Sequence, residues 1–247
     1  MRLLAVFFAL FCAVTPAMAA PGFPALTGRV VDAANILSDT TKADLTEKLA
    51  ALEQKTSRQL VVVTIPSLQG YEISDYGYQL GRAWGIGQAK LNNGVLFIIA
   101  PTEHKTRIEV GYGLEPILTD ALSELIIQGA VLPSFRKGDY NAGAEAGVTA
   151  LIQQLSLDTS TAEARAAAAK QQAQQGDGGG GGSGLGFLAF LFIAFALLRV
   201  FGGWGLLPFL FMGGGGGGFG GGGFGGGGGS FGGGGGSFGG GGASGGW

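Results

Sequence analysis

Cysteine and histidine are nearly missing: Cys12 and His104 are the only residues of their kind. One of each leaves no pair for a disulfide, no Cys/His zinc cage and no Cys–His catalytic couple within one chain. Charge is scarce as well. Charged residues make up 13% of the sequence, and 15 Lys+Arg against 17 Asp+Glu leave a net charge of −2. Nucleic-acid binding needs clustered cations, so no nucleic-acid partner is expected. The short Gly85-Ile86-Gly87 and Gly111-Tyr112-Gly113 lack the longer pattern of a phosphate cradle and read as tight turns, so no nucleotide cofactor is expected either. Glycine is the excess, with 51 in 247 residues, and 26 of the last 35 residues, Gly213 to Trp247, are glycine.

Two apolar stretches frame the charged part. Met1-Arg2, the run Leu3 to Val14, Pro16 and Ala17-Met18-Ala19 have the three parts of a secretory signal peptide, with cleavage expected after Ala19. Residues 1–19 are thus set apart, and removing them leaves a cysteine-free chain. Leu185 to Met212 reads as one span of the inner or plasma membrane. Its apolar run is broken by Arg199, Gly202, Gly203, Gly205 and Pro208. A helix to about Phe201 lets Arg199 snorkel to the interface. The export signal then puts the preceding domain in the periplasm or outside the cell, and a single span puts the tail, 213–247, in the cytoplasm. A buried hairpin of a soluble protein is the other reading of 185–212.

All the acidic residues lie between Asp32 and Asp177, which places a domain at about 20–157, followed by an Ala/Gln-rich and then Gly-rich linker, 158–184, whose part from Thr159 to Gln175 could extend a helix. Leu45, Leu49 and Leu52 recur at helical spacing after a capping Ser38. Gln59 to Ile65 and Val95 to Ile99 are β-branched, nearly all-apolar runs, as expected of strands covered on both faces. Ile73, Leu80, Ala83 and Trp84 mark a second helix with Ser74 as its cap. Thr106 to Tyr112 alternates Ile108 and Val110 against Arg107 and Glu109, which predicts a strand with one wet face. Helices are expected from Thr119 or Asp120 to about Leu132 and from Asp139 through Leu155. With a short strand at Arg29 to Val31, the order β/α/β/α/β/β/α/α predicts an α/β sandwich with a mixed sheet.

Several stretches then resemble the TPM domain family in its own order: Val30-Val31-Asp32 through Leu37-Ser38, Leu60 to Ile65, Trp84-Gly85-Ile86-Gly87, Asn92-Asn93-Gly94-Val95-Leu96, Glu109 to Glu115, Asp120, and Phe135-Arg136-Lys137-Gly138-Asp139-Tyr140. The leader, C-terminal apolar segment and Gly/Phe/Ser-rich tail are similar to its bacterial membrane-anchored members. The resemblance implies a Rossmann-like α/β sandwich. Family members are linked to acid phosphatase activity, photosystem repair and receptor modulation, and some bind calcium or another divalent metal. Fold is therefore better specified than function.

Asp32, Glu115 and Asp120 lie within these motifs and carry the hard oxygen donors such a cation needs, which makes them the candidate metal ligands. Each has an ordinary alternative. Asp120 can cap its helix, Asp32 can close an Asx-turn, and Glu115 can be solvated or paired with Arg107 or Arg136. No catalytic nucleophile stands out, and His104 sits in a turn. Two functions remain open: a membrane-tethered binding or membrane-protein quality-control module, and a metal-dependent acid phosphatase with Arg136 or Lys137 neutralising phosphate charge. The tail carries Phe219, Phe224, Phe231 and Phe238 in nearly pure glycine and is expected to be disordered. Its deletion is expected to leave the domain's folding unchanged. Inert spacer and weak multivalent contact are both open for it.

Overall fold

The computed structural model describes residues 21–176 and 231–247. The leader, the apolar stretch 185–212, Phe219 and Phe224 lie outside the described residues. A five-stranded mixed sheet in the order β1-β2-β3-β4-β5 forms the middle layer. Strands β1 (Val30–Asp32), β2 (Gln59–Thr64) and β3 (Gly94–Ala100) run parallel. Strand β4 (Lys105–Gly111) returns antiparallel, with Phe97 opposite Ile108.

The helices cover both faces, which is why the β2 and β3 side chains are buried throughout rather than alternating. On one face, Leu45, Leu49 and Leu52 of α1 (Asp39–Thr56) pack with Leu60, Val62, Val95, Phe97 and Ile108. Ser38 caps α1 as expected, its hydroxyl accepting from the Thr41 N–H at 3.1 Å. The same core takes α3 (Asp120–Ile126), a π-helical turn (Ile127–Val131), α4 (Leu132–Phe135) and α5 (Tyr140–Leu155). On the other face, Ile73, Tyr76 and Leu80 of α2 (Ile73–Trp84) pack on Val61, Val63, Leu96 and Ile98. Helix α2 starts one residue before the expected cap Ser74, with Glu72 at the cap position.

Three expectations are corrected. The segment after Leu157 is not linker from its start: Thr159–Gly176 forms α6, and Ala162, Ala166 and Ala169 are buried at helical spacing in the main core. Buried Gln154 fastens it, donating to the carbonyls of Ile117 and Ala162. Second, β4 has no wet face. Arg107 and Glu109, opposite Ile98 and Leu96, lie under α2, where Gly77 leaves them room: a Cβ there would stand 2.8 Å from the Ile98 side chain and 3.3 Å from that of Arg107. Third, the end of the glycine tail is ordered. Phe238–Gly246 forms β5 and pairs antiparallel with β4, from Lys105 opposite Gly246 to Gly111 opposite Phe238. Alternating apolar residues are not what holds this strand. Its backbone amides and a few anchoring side chains are.

Among the described residues no helix is long and apolar enough to cross a membrane.

Candidate functional site

The outer edge of β4 and the elements beside it make a seat for an extended chain. Before the strand begins, the Gly236 N–H donates to the Gly87 carbonyl at 2.9 Å, and the Ser237 N–H donates to Asn92 Oδ1 at 2.9 Å. The Gly242 N–H donates to Asp120 Oδ1 at 2.7 Å. Arg107 reaches up from β4 and donates to the Gly240 carbonyl at 2.8 Å and to Ser244 Oγ at 2.9 Å. At the end of the chain the Trp247 N–H donates to the His104 carbonyl at 3.1 Å. Charge-assisted contacts of this kind, from Asp120 and Arg107, are the stronger ones in such a set.

Two aromatic anchors fix the register. The Phe238 ring is fully buried against α2 at Gly81, where a Cβ would lie 2.8 Å from it. Trp247 packs against Phe135 at 4.6 Å between ring centroids, with Tyr140 at 6.0 Å and His104 edge-on at 5.6 Å. Between them the strand needs glycine. Gly242 has φ +121°, and a Cβ on it would stand 1.9 Å from the Ile108 carbonyl oxygen. What reads as low complexity is at this position a steric requirement.

Glu109 is the unusual group beneath this strand. It is fully buried, Arg107 Nε donates to its Oε2 at 2.5 Å, and its Oε1 has no hydrogen-bond partner. Burial pushes its carboxyl up to about 7, against the downward pull of Arg107, and nearby Asp120 adds to the rise. A carboxyl raised on folding stabilises the fold fully below its unfolded pKa, and that contribution is lost as pH rises through the folded value. The domain is therefore expected to melt at a higher temperature at pH 5 than at pH 8, with a difference of at most roughly 3 kcal/mol. Glu109→Gln should flatten this slope. A melting profile equally steep in that variant would assign the titration to another group.

The three candidate metal ligands do not come together. Asp32 lies at the end of β1, across the sheet from β5, and four strand spacings correspond to roughly 19 Å. Its carboxylate accepts from the Ile36 and Leu37 N–H groups, each at 3.1 Å, and from the Thr64 hydroxyl at 2.6 Å, closing the loop after β1. Glu115 and Asp120 do share one place, but it is the β5 seat: a Cβ on Gly241 would lie 3.0 Å from Glu115 Oε1, next to the Gly242 amide held by Asp120. Asp120 does not cap α3. Thr119 does, its hydroxyl accepting from the Leu122 N–H. Among the described residues no group of three His, Cys, Asp or Glu side chains is placed to hold a metal ion. The donor set thus does not fit one shared cation.

Most of the motifs quoted above instead surround the tail: Gly85, Gly87, Asn92, Glu109, Tyr112, Glu115 and Asp120 all lie under or beside residues 235–242. A TPM domain model matches residues 30–154. The chain belongs to the TPM domain family. The N-terminal domain of a P. gingivalis protein, solved by NMR, is 36% identical, with a TM-score of 0.50 over 53% of this chain and 83% of that one. The N-terminal domain of the cg2496 protein of Corynebacterium glutamicum is 18% identical, with a TM-score of 0.43 over 57% of this chain and 88% of that one. The BA42 protein of Bizionia argentinensis is 18% identical, with a TM-score of 0.44 over 48% of this chain and 81% of that one. No curated protein matches the chain. The TPM match ends at Gln154, in the last turn of α5, so β5 is an addition to the matched region.

Sequence reasoning missed the β5 seat because composition masked it. Two signals pointed there: Arg107 and Glu109 alternating on a strand, and Ala243, Ser244 and Trp247 interrupting the glycine.

Proposed function

We propose that this TPM-domain chain is a membrane-tethered, extracytoplasmic binding module that takes an extended, glycine-rich segment with aromatic anchors as an added strand on β4. The observation that carries this reading is the seating of Phe238–Gly246 on that edge, with Phe238 buried at Gly81. Strand addition draws affinity from main-chain hydrogen bonds and selectivity from side-chain pockets, and both parts are present here. The seat suits a backbone, not a particular sequence, apart from one phenylalanine slot and one tryptophan platform. Such a surface fits a quality-control role toward exposed, extended stretches of membrane proteins. The chain's own tail then acts as the resident occupant, at a high effective concentration because it is covalently attached.

A synthetic peptide spanning residues 231–247 tests this against the full chain carrying Phe238→Ala, whose own tail is weakened. The peptide is expected to bind that variant, to bind wild type at least tenfold more weakly, and to lose binding when its own phenylalanine at 238 is replaced by serine. No binding to a Phe238→Ala chain that circular dichroism shows to be folded would overturn the reading.

A further inference from the structure

We infer that the C-terminal strand and the TPM domain lie on the same side of the membrane, so that the chain makes no net crossing between Gly176 and Phe231. The inference takes the membrane tether from the reading above and is independent of strand uptake from other chains. Both flanks of the intervening sequence are built into one fold. On the N-terminal side, α6 buries Ala162, Ala166 and Ala169 in the main core. On the C-terminal side, β5 pairs with β4 from Gly241 to Gly246 and again at Phe238, Phe238 is buried with Tyr76 and Leu80 in the second core, and Trp247 packs on Phe135.

A single span across 185–212 would put about 30 Å of hydrocarbon between β4 and residues 231–247. Hydrogen bonds of 2.7–3.1 Å from Gly242, Ser237 and Trp247 to the domain exclude that separation. An exported domain with a cytoplasmic tail, the arrangement expected from one apolar segment, would also leave Phe238 without its pocket. It would leave the Arg107–Glu109 pair without the strand that covers it as well. A single net crossing by residues 185–212 is therefore incompatible with these contacts. The sequence is compatible with a return, since Arg199, Gly202, Gly203, Gly205 and Pro208 interrupt its second half.

Cysteine labelling in cells tests this, because Cys12 is the only cysteine and a Cys12→Ala chain offers a clean background. Cysteine is placed at Gly232, which is exposed and where a Cβ meets nothing within 4 Å, and separately at Glu47, which is exposed on α1. A membrane-impermeant maleimide is added to intact and to lysed cells. Gly232→Cys and Glu47→Cys are expected to share one pattern: both labelled from outside, or both only after lysis, the latter placing the domain inside while leaving the inference standing. Labelling of Glu47→Cys from outside with Gly232→Cys protected until lysis would overturn it. A second measurement guards against a poorly folded variant. The paired positions Lys105 and Gly246, replaced together by cysteine, should be joined on oxidation in intact cells. A disulfide within one chain or between two copies supports the inference, and no disulfide in a chain labelled from outside at 47 but protected at 232 overturns it.

Discussion

Phe238→Ala is expected to release the C-terminal strand while the rest of the domain stays folded. Truncating a fully buried phenylalanine costs about 3–5 kcal/mol in a typical core, and here the ring fills a pocket shaped by Gly81, Tyr76 and Leu80. A phenylalanine on a central strand would pass that loss to the whole fold. Phe238 lies on the edge strand of the sheet, and that strand can open locally, so the loss is limited to the free energy of docking β5. The main core on the α1 and α5 face contains no part of Phe238 and remains closed. Hydrogen exchange should show the amides of β5 and of the β4 edge losing protection by about a hundredfold or more, since each 1.4 kcal/mol is a factor of ten. The amides of β2 and β3 should change little. Retained protection along β5 would mean that the backbone ladder and Trp247 hold the strand without its phenylalanine.

The tail marks where the sequence stopped being legible. Strands β2 and β3 were readable because Leu60 to Ile65 and Val95 to Ile99 are apolar runs that only a sheet covered on both faces can bury. Helix α1 was readable because Leu45, Leu49 and Leu52 form a stripe behind a serine cap. In both cases side chains report the structure. Strand β5 has few side chains to report with, and glycine-rich sequence carries the composition of a linker, so pattern reasoning assigns it none of the ordering interactions that its backbone makes. The buried state of Arg107 and Glu109 was hidden for a related reason. Their alternation is that of a half-exposed strand, and only the missing side chain at Gly77, on a different element, lets α2 close over them. Of the candidate ligands, Glu115 and Asp120 are neighbours in the fold, but what they flank is the β5 backbone. Asp32 was drawn in by motif membership, whereas its three hydrogen bonds are those of a loop closure.

Gly81→Leu should undock the strand from the opposite side of the same contact, and the pair of sites offers a stringent test of it. A Cβ at position 81 would already stand 2.8 Å from the Phe238 ring, so a leucine there takes the volume that Phe238 occupies. Helix α2 itself should gain, because leucine exceeds glycine in helix propensity by up to about 1 kcal/mol. The single variant is thus expected to have a domain as stable as wild type, or more so, with β5 unprotected against exchange. Adding Phe238→Gly to Gly81→Leu removes the clash and leaves the leucine to fill the pocket from the helix side. The leucine then supplies from the helix side the apolar packing that Phe238 gave, and with it the main-chain pairing, the Asp120 and Arg107 contacts and the Trp247 platform bring the strand back in part. The two substitutions should couple by about 1–3 kcal/mol in a double-mutant cycle on β5 protection, with the double variant better docked than the Gly81→Leu chain. Additive losses would show that Phe238 is not seated at Gly81 in solution. The tail would then be held by its backbone and its terminal tryptophan alone, and the phenylalanine slot would drop out of the chemistry by which this edge selects a strand.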